Sequence, residues 1–353
     1  MTAPLPLPPF FSAANAARWD YAPDVPALFV SAQEWRGATG VTPAGRDTVR
    51  NHLLVIDAQK DFCFPQGSLY VAGRSGTGAV DDSAGLAAYI YRNLGDLTEL
   101  TCTFDTHHAL QIFFPSFWLQ PDGAPPGPHR AVTADDLASG RLRVNPEVAS
   151  QVAGGDLAGL QARVLHYCRA LEAAGKYQLW LWPPHCLLGG EGHALSGVVQ
   201  EARLFHAYCR TAQSRAELKG EHALSENYSV LGPEVLTDQH GAQVLHKNEA
   251  LLDRLLSADR LIVAGQASSH CVKSTVEDLL TAIQAREPKL ARKVFLLEDC
   301  MSAVTVPDGK GGLAADFTPQ ADGALALFAE AGMHRVRSTT PVTQLPLELP
   351  RSR

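Results

Sequence analysis

Short apolar runs recur along this chain and alternate with segments of helical periodicity. His52-Leu53-Leu54-Val55-Ile56 leads directly into Asp57, the pattern of a strand buried on both faces. Comparable runs cover Leu97 to Phe104, Tyr177 to Trp182, Arg260 to Gly265 and Lys293 to Glu298, with weaker ones at Ala242 to His246 and His334 to Arg337. Between them the 3.6-residue period predicts helices over Val80 to Leu94, Gly192 to Arg210, Asn248 to Leu256, Val272 to Ala285 and Gln320 to Ala331. Strand and helix in alternation predict an α/β fold: three layers, α/β/α, around a mostly parallel central sheet.

Two regions and a tail fall outside that rhythm. Residues 1–48 are rich in Pro and Ala and read as an N-terminal extension that covers the domain. The core spans 49–338 and is interrupted at about 119–176 by a Pro/Gly-rich loop, Pro121 to Pro128, and a predicted helix over Leu157 to Ala174. That length without a core strand marks an insertion, a lid or an oligomer contact, and a homo-oligomer is expected. Residues 339–353 carry spaced prolines and are expected to be an extended C-terminal tail.

Composition narrows the class. Of 353 residues 46% are hydrophobic and 19% charged, enough apolar material for a large core. Thirty basic against 37 acidic side chains give a net charge of -7 with no dense Lys/Arg run, which argues against nucleic-acid binding. The opening stretch lacks a basic region and is broken by Pro, so no signal peptide is expected. No run is long enough for a membrane helix, and the expected location is the cytoplasm. The seven cysteines are scattered without a C-x-x-C pair, which disfavours a disulfide framework or a Cys-rich zinc module. Core packing is the ordinary reading of any one of them.

Ligand sites in parallel sheets lie beyond the carboxyl ends of strands. Those positions hold Asp57, Asp105, His107, His185 and the loop Gly265-Gln266-Ala267-Ser268-Ser269-His270-Cys271. The loop places Cys271 at a helix N-terminus, where the helix dipole favours a thiolate and a lowered pKa is expected. Alone, such a cysteine is a packing residue. Asp57 and Lys219, the latter ending a short apolar segment before Gly220, supply the base and the cation that thiol chemistry needs. Asp105 and His107, two apart beyond one strand, and His185 beyond another, offer a carboxylate and two imidazoles of the kind that hold zinc, iron or manganese. The Gly-rich stretches at 73–78 and 309–312 lack the spacing of a phosphate loop and read as turns.

Taken together, D-x-Q-x-D-F-C at 57–63, D-x-H at 105–107, W-P-P-H-C at 182–186, K-G at 219–220 and G-x-A-x-x-H-C-V at 265–272 resemble the nicotinamidase/pyrazinamidase branch of the isochorismatase-like cysteine hydrolases. The resemblance runs from about residue 50 to 335. It implies the isochorismatase-like hydrolase fold, a catalytic triad of Asp57, Lys219 and Cys271, and a cis peptide at Gln266-Ala267 that turns the N–H groups of Ala267 and Cys271 into an oxyanion hole. It also implies one divalent metal ion, zinc first, at Asp105, His107 and His185. Phe62 and Trp182 occupy motif positions that line the substrate site, and Tyr228 resembles a further pocket residue, although its spacing from the K-G motif is two residues longer. His108 stands beside His107 and is expected to point elsewhere.

The function this implies is a metal-dependent amidohydrolase that converts nicotinamide and water to nicotinate and ammonia through a cysteine thioester, in NAD salvage. Two alternatives stay open. One keeps the triad and changes the substrate to a ureido, carbamoyl or other small amide; the other is an inactive scaffold or binding protein on the same fold.

Overall fold

In the computed structural model, which describes residues 4–175 and 177–347, six strands form one parallel sheet. They are β1 (Asn51–Ile56), β2 (Glu99–Asp105), β3 (Arg215–Lys219), β4 (Arg260–Gly265), β5 (Val294–Leu297) and β6 (His334–Val336), in the spatial order β6-β5-β4-β1-β2-β3. Leu54 sits in register with Val263 on one side and Thr101 on the other. The mostly parallel α/β sheet expected from the alternation is therefore present.

Period-two side-chain geometry divides the strand residues between two cores. Leu53 and Val55 of β1 pack with α1 (Val25–Thr39), α2 (Gly78–Arg92) and α4 (Gly197–Arg210). Leu54 and Ile56 pack with α3 (Leu157–Ala174), α5 (Glu249–Ser257), α6 (Cys271–Arg286) and α7 (Thr318–Glu330). Every residue of β1 and β4 is buried, which is why both strands read as unbroken apolar runs. Each Leu, Ile or Val so buried contributes about 1.5–3 kcal/mol.

Gly265 closes β4 against β1. Its φ is +116°, and a Cβ built on it would lie 1.9 Å from the Ile56 carbonyl oxygen, so no other residue fits there. The approach lets the Gln266 N–H donate to that same oxygen at 2.7 Å and starts the loop that carries Cys271.

Three sequence expectations need correction. The run Tyr177 to Trp182 is not a core strand: only Leu179–Leu181 is extended, and it pairs antiparallel with Arg130–Val132 in a separate two-stranded sheet. Aromatic bulk produced the apolar run, and its rings pack against the Tyr228 and His270 side chains. Ala242 to His246 forms no strand, only an isolated bridge between Thr237 and Gln243. Arg215–Lys219, read only as a short segment before Gly220, is the edge strand β3; the edge leaves its first residues exposed and its sequence polar.

The N-terminal extension contains a full helix, α1, capped by the Asp24 side chain and ended by Gly40 in the left-handed region. Its Leu28 and Ala32 are buried against α4. The insertion helix α3 begins at the Asp156 cap and ends at left-handed Gly175. Of the tail, residues 339–347 are described, and the Leu345 carbonyl accepts from the Arg260 guanidinium at 2.8 Å; residues 348–353 lie outside the described residues. Among the described residues no helix is long and apolar enough to cross a membrane.

Candidate active site

In the sheet order β1 connects outward to β2 on one side while β4 connects outward to β5 on the other, which opens a crevice beyond the carboxyl ends of β1 and β4. Asp57 follows β1, Asp105 ends β2, Lys219 ends β3, and the loop after β4 delivers Cys271. Residues far apart in sequence meet here because they share one end of one sheet.

Asp57 has φ 45°, a left-handed conformation that is unusual for a residue with a side chain. Thr103 on β2 holds it: the hydroxyl accepts from the Asp57 N–H at 3.1 Å and donates to the Asp57 carboxylate. Lys219 then joins the groups. Its ammonium donates to Asp105 Oδ1 at 2.8 Å and to the Asn227 carbonyl at 2.9 Å, lies 3.0 Å from Asp57 Oδ2, and is 3.6 Å from Cys271 Sγ. All four side chains are buried. Removing Lys219 would leave two carboxylates buried without a counter-charge, a change that typically costs about 3–5 kcal/mol.

Burial raises the Asp57 carboxyl above its ordinary range; Lys219 opposes the rise and Asp105 adds to it. Asp105 is also penalised by burial, but His107 and Lys219 outweigh that and hold it well below the usual range. Burial disfavours charged Lys219, yet Asp105 and Asp57 keep it an ammonium. The thiol of Cys271 is pushed well above its ordinary value, by burial first, with Lys219 opposing and Asp57 and Asp105 adding. This overturns the expectation of a lowered cysteine pKa: desolvation and two carboxylates outweigh the helix end and the lysine. At rest the sulfur carries its proton.

The peptide between Gln266 and Ala267 is cis. Among the described residues neither the Ala267 nor the Cys271 N–H donates to a protein acceptor. The Ala267 carbonyl accepts from His270 and Val272, which fixes the turn into α6.

Asp105, His107 and His185 bring one ligand atom each within 4.8 Å of one another, all buried. His107 Nδ1 faces the Gly220 carbonyl at 3.2 Å, and His185 Nδ1 faces the Pro183 carbonyl at 2.8 Å. A carbonyl only accepts, so the Nδ1 of each ring faces it as a donor and Nε2 is the atom turned to Asp105. The Nε2 atoms of His107 and His185 lie 2.8 and 3.4 Å from Asp105 Oδ2. A carboxylate oxygen and two imidazole nitrogens converge here, a donor set that fits a divalent metal. His107 is held neutral, by burial before Asp105 opposes it. His108 is exposed and takes no part in the cluster.

A narrow cavity of about 30 Å³ joins these parts. Its walls include Phe62, Trp182 and Tyr228, the three predicted pocket residues, together with Asp105, His185, Ala267 and Cys271. Trp182 Nε1 donates to the Tyr228 hydroxyl at 2.9 Å, and Phe62 lies 5.5 Å from the His185 ring.

Sequence reasoning missed two members. Glu226 lines the cavity, is buried, and has its pKa pushed up to about 8, by burial first, with Asp105 adding and Lys219 opposing. Gln59 lies inside the quoted 57–63 motif but was assigned no role. It is fully buried; its Oε1 accepts from the Asp105 N–H at 2.7 Å and its Nε2 donates to the Asp105 carbonyl at 2.8 Å. A polar residue just beyond β1 was the only signal for Gln59, and none distinguished Glu226.

No protein-family profile matches the chain, and no curated protein does. Among solved structures, it is similar to a yeast nicotinamidase bound to the inhibitor nicotinaldehyde, at 17% identity over 81% of this chain and 99% of the other, with a TM-score of 0.47. It is similar to an Acinetobacter baumanii nicotinamidase/pyrazinamidase at 19% identity over 82% and 96%, TM-score 0.46. It is also similar to a Pyrococcus horikoshii pyrazinamidase in complex with zinc, at 17% identity over 81% and 98%, TM-score 0.42.

Proposed function

We propose that the chain is a cysteine amidohydrolase that cleaves the C–N bond of a small ring-bearing amide, with nicotinamide as the first substrate to test. The observation that carries this reading is the buried Asp57, Lys219 and Cys271 set, with the ammonium 3.0 Å from the carboxylate and 3.6 Å from the sulfur, and with Cys271 on a cavity that Asp105 and His185 also line. The motif resemblance supports the same choice of chemistry.

Cys271 starts as a thiol. Asp57, whose carboxylate is made more basic by burial, takes the thiol proton as sulfur attacks the amide carbon, and Lys219 balances the negative charge that remains. The free N–H groups of Ala267 and Cys271 serve the developing oxyanion; donors of this kind are worth about 3–4 kcal/mol each in related chemistry. Protonated Asp57 then gives its proton to the departing ammonia, leaving an acyl thioester on Cys271. Asp57 next takes a proton from water, which attacks the thioester, and returns it to sulfur as the acid leaves. A divalent metal held by Asp105, His107 and His185 supplies, when bound, a Lewis-acid anchor for a lone pair on the substrate ring. Phe62, Trp182 and Tyr228 offer the ring its apolar walls.

The test is ammonia release from nicotinamide and pyrazinamide by the purified chain, with metal content measured on the same sample. Activity lost in Cys271→Ala is expected. Absence of ammonia from both amides, while Cys271 alkylates and the metal is bound, would make the substrate assignment wrong.

A further inference from the structure

Beside the catalytic cavity lies a roomier one of about 300 Å³. The two share Trp182, Tyr228 and His270, so the same three rings border both cavities. His270 meets both Trp182 and Tyr228 edge to face with ring centres 5.4 Å apart, and a hydrogen bond ties Trp182 to Tyr228 at this shared border. The far wall is contributed by the chain leaving the insertion. Tyr177 packs edge-on against Tyr228 at 4.9 Å, and Trp180 lies 6.1 Å from Trp182.

The chemistry of the outer cavity is specific. Aromatic faces dominate it, while Gln178, Lys273 and Gln320 stand among them as polar contacts. The Lys273 ammonium is 3.0 Å from Glu277 on the same helix, so it keeps a neutralising partner and is a hydrogen-bond donor more than a free charge. The indole N–H of Trp180 is buried without an acceptor. A cavity of this size, walled by rings and dotted with a few donors, suits a flat group bearing hydrogen-bond acceptors. The inner cavity is about a tenth as large, so the bulk of any substrate larger than a single ring has its room here.

We propose that the outer cavity is a second substrate subsite, taking a flat, acceptor-bearing extension of the amide whose carbonyl sits at Cys271, and that the insertion at about 119–176 brings in Tyr177 and Trp180 to build it. This rests on the amide-hydrolase reading, and it makes the preferred substrate a ring-extended amide instead of nicotinamide alone.

The experiment compares kcat/KM for nicotinamide with that for carboxamides carrying a second ring at each position of the first, using the full chain with its bound metal. At least one extended amide is expected to exceed the parent about tenfold. Trp180→Ala should erase that gain while leaving the parent amide unchanged; Phe317→Ala, on the outer wall 4.9 Å from His270, carries the same expectation if the first variant fails to fold. Extended amides no better than the parent, or variants that lower both substrates alike, overturn the subsite. If no amide releases ammonia, the catalytic reading fails separately, and saturation-transfer NMR with 2-naphthoate still decides: binding lost in Trp180→Ala supports the subsite, and binding unchanged in that variant overturns it.

Discussion

Gln59 holds Asp105 by both ends of its peptide framework, accepting from its N–H at 2.7 Å and donating to its carbonyl at 2.8 Å. The clasp fixes the direction in which the Asp105 carboxylate leaves β2, and that carboxylate is the one group shared by Lys219 and both imidazoles. The Asp57, Lys219 and Cys271 set and the Asp105, His107 and His185 cluster are therefore one network. Gln59→Leu removes the clasp and leaves a buried N–H unpaired, for which about 1–3 kcal/mol of lost stability is expected. Loss of an outer partner commonly weakens metal binding about 10–100-fold. Chelator competition with zinc should show that weakening; an unchanged zinc affinity would mean that Lys219 alone sets the direction of Asp105.

Gly265 gives a backbone test of the same crevice. A methyl group there would collide with the Ile56 carbonyl and would also impose a φ of +116° on an alanine. Gly265→Ala is expected to cost more than about 4 kcal/mol and to deplete the soluble fraction, because main-chain atoms of two neighbouring strands cannot give way. Gly37 is the contrasting site: it lies inside α1 with nothing within 4 Å of its Cβ position. Gly37→Ala should raise stability by about 0.5–1 kcal/mol, read as a higher Tm.

What could be read in the chain follows from what each signal measures. β1 and β4 were legible because burial on both faces leaves an unbroken apolar run. β3 was not, since an edge strand keeps exposed polar residues and Arg215-Ala216-Glu217-Leu218-Lys219 carries little apolar pattern. The aromatic run at 177–182 misled for the opposite reason, being apolar through ring packing around the cavities, not through a place in the sheet. Asp57, Lys219 and Cys271 could be picked out by their places at strand ends and by motif order. The shared role of Asp105 could not, because hydrogen-bond partnership across β2 and β3 leaves no trace in either segment.

The protonated state of Cys271 has a kinetic signature. Burial and the two carboxylates push its thiol up, so the thiolate fraction near pH 7 is small and grows as pH rises. Alkylation by iodoacetamide should accelerate steadily from pH 7 to about 9.5 without a plateau near neutrality. A rate already level below pH 7 would instead show a resting thiolate and remove the need for Asp57 as the acceptor of its proton.

Glu226 supplies a titration that can be isolated. Its folded pKa is raised to about 8 from an ordinary 4.5, by burial first, with Asp105 reinforcing burial against Lys219. The folded chain therefore holds a proton at Glu226 that the unfolded chain has released, and stability from this group is full below about pH 4.5 and is lost as pH climbs through 8. Each unit of such a shift corresponds to about 1.4 kcal/mol. In metal-free protein, Tm should fall from about pH 5 to 8. Glu226→Gln keeps the shape and is neutral throughout, so its Tm should be flatter over the same range and higher than that of the parent chain at pH 9. Parallel Tm curves for the two proteins would mean that Glu226 is ionised across this range, with Lys219 outweighing burial.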